Sequence, residues 1–120
     1  MNPDYIDLKK VGDRKTIENQ TCMFISSGTK ESEADFKGAG IIITKARRKS
    51  LFDFTKDEIL DTFDLLKKAK DYVDEKYKPD GYTIGWTIGD VAGKRHKYVH
   101  LQILPRYDSE NIKIFLKKDK

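Results

Sequence analysis

The segment 93–107, GKRHKYVHLQILPRY, decides how the rest of the chain is read. Alternate residues of an extended strand share a face, so His96, Tyr98, His100 and Gln102 are expected to point one way and Val99, Leu101 and Ile103 the other. The aliphatic set suits a core. The opposite set gives the strand a chemically equipped face, and it includes both histidines of the chain.

Working outward, YTIGWTIG (82–89) alternates in the same way, with Tyr82, Ile84, Trp86 and Ile88 opposite Thr83, Gly85 and Thr87. The glycine-containing stretch GDVAGK (89–94) then predicts a tight hairpin between this strand and the segment 97–104. Glycines there let backbone amides approach phosphate oxygens closely, although an ordinary hairpin turn has the same composition. Further upstream, TCMFIS (21–26) and AGIIIT (39–44) read as buried strands, separated by a polar loop. Residues 1–20 show no firm element, and NIKIFLK (111–117) reads as a last strand or a terminal helix.

Between the strands lies one long helix. Thr55 is its predicted N-cap, with Glu58 three residues on completing a capping box, and Pro79 ends the run. Ile59, Phe63, Leu66, Val73 and Tyr77 form its expected core stripe, with Leu65, Ala69 and Tyr72 as a second stripe. Strands on both sides of a single helix predict an α+β domain, the helix packed across an antiparallel sheet.

At 120 residues the chain has the size of one domain, large enough to bury a core without staples. Its single cysteine, Cys22, excludes a disulfide framework and a C-x-x-C zinc site, and is expected to be a small buried hydrophobe. No apolar run is long enough for a membrane span, and MNPDYIDLKK lacks a signal-peptide core, so a cytoplasmic location is expected. The net charge of +4 tolerates phosphate-bearing ligands, and basic residues concentrate in KARRKS (45–50) and in KIFLKKDK (113–120). Either cluster fits a phosphate or nucleic-acid patch, and either fits a solvated surface.

The stretch PDGYTIGWTIGDVAGKRHKYVHLQILPRY resembles the C-terminal half of a histidine triad (HIT) protein, and KGAGIIITKARRKSLFDFTKDEI resembles that family's strand, basic turn and helix start. The similarity runs over about residues 37 to 107 of the single HIT-like domain expected for 1–120; residues 1–36 match poorly, and 108–120 form a basic C-terminal segment. The family's three alternating histidines correspond here to Tyr98, His100 and Gln102, so the middle histidine is retained and the outer two are replaced. The family's Asn before the glycine loop corresponds to Thr87, and its Gln and hydroxyl residue to Lys94 and Arg95.

The resemblance implies a purine nucleotide or nucleotide conjugate as ligand, no cofactor or metal, and a homodimer paired through the helix and the strand beside it, with Leu65, Ala69 and Tyr72 as the candidate contact; no membrane partner is expected from the composition, and nucleic acid is not the expected partner. It makes His100 the nucleophile at the α-phosphorus, Gln102 a neutral donor to a phosphoryl oxygen, and Tyr98, Thr87, Lys94 and Arg95 the phosphate contacts. Neutral imidazole is a good nucleophile near pH 7, which suits that role. His96 lies outside the triad positions. Three activities remain open at this point: a nucleotidyl hydrolase or transferase, a degenerate domain that binds nucleotide without turnover, and a basic module for protein or nucleic acid.

Overall fold

The computed structural model describes residues 15–26, 37–89 and 98–108. Its strands are β1 (Thr16–Glu18), β2 (Cys22–Ser26), β3 (Gly40–Thr44), β4 (Gly81–Trp86) and β5 (Leu101–Arg106), with helix α1 (Lys56–Tyr77) between β3 and β4. They form an antiparallel sheet in the order β1-β2-β3-β5-β4. This is the expected α+β architecture of one long helix on an antiparallel sheet.

The register separates the two faces. Phe24, Ile42, Leu101 and Trp86 lie in one row across β2, β3, β5 and β4, on the side covered by α1. Ile25, Ile41, Gln102 and Gly85 form the matching row on the other side. The core lies under the first row, where Phe24, Ile42, Leu101 and Ile103 meet Leu65, Ala69 and Val73 of α1. Cys22 is buried in this core, as its composition suggested.

Helix α1 starts where the sequence places it. Thr55 is the N-cap: its hydroxyl accepts from Glu58 N at 3.1 Å, and the Glu58 carboxylate accepts from Thr55 N at 2.8 Å. The helix ends at Lys78, in the left-handed conformation one residue before Pro79. The core stripe, however, is rotated from the expected one. Leu65, Ala69 and Val73 are buried together with the polar Glu58 and Thr62, while Ile59 and Phe63 are exposed. Polar residues enter the seam because each is satisfied there: Thr62 donates to the Glu58 carbonyl at 2.7 Å, and Glu58 binds Arg48.

β1 is an element the sequence did not announce. Its three residues carry too short a pattern to read, and pairing with β2 makes it a strand. A polar clamp holds the turn between them: Asn19 Nδ2 donates to the Asp61 carbonyl, and Thr21 donates to the Asp61 carboxylate through both its amide and its hydroxyl. At the other end of the helix, Tyr82 of β4 donates to Asp74 at 2.6 Å, beside Lys70 at 2.7 Å. Donation from Lys70, then from Tyr82, holds the Asp74 carboxyl below its usual range. The link is therefore present above the ordinary carboxylate range and is lost as pH falls and Asp74 protonates.

Gly40 opens β3 because no side chain fits there. A Cβ at this position would lie 2.5 Å from the Phe24 ring and 2.8 Å from the Ile25 carbonyl oxygen. Phe24 is fully buried and cannot swing aside. Gly40→Ala is therefore expected to destabilise the protein by about 1–3 kcal/mol, read as a lower urea midpoint at unchanged slope. A midpoint equal to that of the wild type would contradict this packing.

Candidate functional site

The strand expected to carry Tyr98 and His100 begins later than their alternation suggests. β5 starts at Leu101, and Tyr98, Val99 and His100 form the segment leading into it. Alternation survives beyond the ladder: Val99, Leu101 and Ile103 are buried, and Tyr98, His100, Gln102 and Leu104 are half-buried. The segment is held by the basic turn after β3, where the Arg48 carbonyl accepts from Val99 N at 2.7 Å. The two parts of the chain that carry the family resemblance thus meet.

Within this segment His100 Nδ1 lies 3.4 Å from the carbonyl oxygen of Tyr98. A carbonyl only accepts, so Nδ1 can donate here only in the tautomer that carries its hydrogen on that nitrogen. Gln102, two residues on, lies in β5 between Ile41 of β3 and Gly85 of β4. A Cβ at Gly85 would meet nothing within 4 Å, so open space adjoins the Gln102 position on the face away from α1. Thr87 follows β4 and is half-buried. Lys94, Arg95 and His96, with most of the glycine loop, lie outside the described residues, as does the 111–117 segment.

The basic turn supplies the local electrostatics. Lys45 pairs with Glu18 at 3.2 Å, and Arg48 Nε reaches both carboxylate oxygens of Glu58 at 3.1 and 3.2 Å. Arg47 instead places its guanidinium over the Tyr98 ring, 5.3 Å from the ring centre. Sequence reading gave KARRKS only as a general basic patch. Its particular link to Tyr98 is a long-range contact with no local pattern to announce it.

One long helix on this five-stranded sheet, with His100 leading into β5, matches the fold of solved histidine triad structures. A HIT family protein from Bacillus anthracis superposes with a TM-score of 0.68 at 21% identity, over 80% of this chain and 66% of that one. This chain therefore spans about two thirds of that protein's length. A hypothetical histidine triad nucleotide-binding protein from Sulfolobus tokodaii gives 0.71 at 16% identity, over 86% and 67%. A HIT family member from Bacillus subtilis gives 0.70 at 22%, over 88% and 75%. No protein-family model matches the chain, and no curated protein matches it. The chain is HIT-like in fold.

Proposed function

We propose that this chain is a nucleotide-binding protein that hydrolyses or transfers a nucleotidyl group, with His100 as the nucleophile. The observation that carries the proposal is the place of His100, half-buried where the chain enters β5 with Nδ1 3.4 Å from the Tyr98 carbonyl oxygen, on a fold shared with a hypothetical histidine triad nucleotide-binding protein. In the first step Nε2 attacks the α-phosphorus of a purine nucleotide conjugate. A phosphorus–nitrogen bond forms, and the bond to the leaving group breaks with its electron pair going to that group. Water or another acceptor then displaces the imidazole, releasing the nucleoside monophosphate or its transfer product. Gln102 donates to a non-bridging oxygen as charge builds on it, without titrating. Tyr98 and Thr87 add hydroxyl donors, and Lys94 and Arg95 are proposed to add charge. Incubation with adenylated and guanylated conjugates, followed by product identification, tests the proposal. Tight nucleotide binding with no product from any of them would leave a binding domain in its place. The reaction is proposed to take place in the cytoplasm; among the described residues no helix is long and apolar enough to cross a membrane.

The working unit is proposed to be a homodimer, through a different surface from the one the sequence suggested. Leu65 and Ala69 are fully buried in the chain's own core and are out of reach of a partner. Ile59 and Phe63 are 45% and 52% exposed, and helical spacing puts them on the flank of α1 that carries Lys70 and Asp74 toward β4. Ile84 and Ile88 add exposed apolar surface on or beside β4, the terminal strand of the sheet order. A two-fold axis beside β4 covers both features at once. Light scattering at micromolar concentration is expected to give twice the 13.9 kDa chain mass, and Phe63→Lys to shift it toward the single-chain value. A wild-type mass of one chain at every concentration would rule this out.

A further inference from the structure

We propose that Arg47 is a further phosphate-recognition residue of this site, presented as a positive charge by the ring of Tyr98, two residues before His100; this rests on the nucleotide reading above. The turn at 45–49 carries four basic residues, but their side chains are not equivalent. Lys45 is paired with Glu18, and Arg48 with Glu58. Among the described residues Arg47 has no carboxylate partner, although it is half-buried. A half-buried guanidinium left without a counter-charge favours an anion next to it.

Its placement is fixed from two directions. The guanidinium lies over the Tyr98 ring at 5.3 Å, within the range of a cation–π contact, which restrains a side chain that otherwise has many rotamers. One residue further along each segment, Val99 N donates to the Arg48 carbonyl at 2.7 Å and locks the turn against the chain entering β5. Tyr98 also contributes the carbonyl oxygen that lies 3.4 Å from His100 Nδ1. A single residue thus meets His100 through its backbone and the cation through its ring. A planar guanidinium can engage two non-bridging phosphoryl oxygens at once, which an ammonium group cannot do in the same geometry.

Binding of adenosine 5′-monophosphate, guanosine 5′-monophosphate and the two free nucleosides, measured by calorimetry on the wild type, Arg47→Ala and Arg47→Lys, tests the assignment. Arg47→Ala is expected to weaken monophosphate affinity by about tenfold or more, with nucleoside affinity within about twofold of wild type. Arg47→Lys is expected to fall between the two, since it keeps the charge and loses the fork. The wild-type monophosphate affinity should also depend more steeply on salt than that of Arg47→Ala. Equal monophosphate affinity in wild type and Arg47→Ala overturns the assignment and leaves the nucleotide reading standing. Parallel loss of nucleoside and monophosphate binding overturns it too, by showing that Arg47 only supports the fold. Wild-type protein that binds none of the four compounds overturns both.

Discussion

His100→Ala is expected to abolish a covalent nucleotidyl adduct that wild-type protein forms during turnover, and to lower kcat by on the order of 10³ or more. The expectation follows from the role proposed for His100, whose Nδ1 lies 3.4 Å from the Tyr98 carbonyl oxygen. A phosphorus–nitrogen bond to imidazole breaks in acid, because protonation turns the ring into a good leaving group, and it persists in alkali. Quenching at high pH and weighing the intact protein should therefore show a mass gain equal to one nucleoside monophosphate less water. The gain should vanish in His100→Ala and persist in His96→Ala, since His96 stands outside the triad positions. Attack needs neutral imidazole, so kcat/KM should be lower at acid pH, where a protonated ring has no lone pair to attack with. Nucleotide bound tightly with no adduct and no product would replace the enzyme with a binding domain.

What could be read from sequence was local or periodic, and what could not was set by distant pairing. The start of α1 was legible because a capping box lies within four residues, Thr55 to Glu58. Its buried seam was not, because α1 is apolar over a wide arc and the choice among stripes depends on where β2 and β3 lie. Glu58 and Thr62 share the buried seam with Leu65 and Ala69, and no apolar pattern marks a polar residue for burial. β1 carries no readable alternation and exists through its ladder with β2 and the clamp on Asp61. Tyr98 and His100 were assigned the correct exposure but the wrong element, since alternation reports faces and the hydrogen-bonded ladder begins only at Leu101. Arg47 was hidden in a run of like charges until the fold paired its neighbours and left it stacked on Tyr98.

Glu58→Ala should show how far the fold and the proposed site depend on one side chain, with an expected stability loss of about 3 kcal/mol. Glu58 is 3% exposed and does two jobs: it accepts from Thr55 N at 2.8 Å to close the helix cap, and from Arg48 Nε at 3.1 and 3.2 Å. Truncation removes both and leaves a half-buried guanidinium without its carboxylate. Glu58→Gln keeps an oxygen for the cap and should cost less. The consequence should reach beyond stability, because the Arg48 backbone is the anchor that accepts from Val99 N beside His100. Releasing Arg48 lets the turn that carries Arg47 move away from Tyr98. Leu65→Ala provides the comparison: its side chain is fully buried in the core cluster with Phe24, Ile42 and Leu101, and its expected cost is of similar size, about 2–5 kcal/mol. Under conditions in which both variants are folded, Glu58→Ala should bind nucleoside monophosphate more weakly than Leu65→Ala does. Equal affinities would separate the cap from the site, and a loss in Glu58→Ala below about 0.5 kcal/mol, the level of an ordinary surface substitution, would remove the ion pair from the account of stability as well.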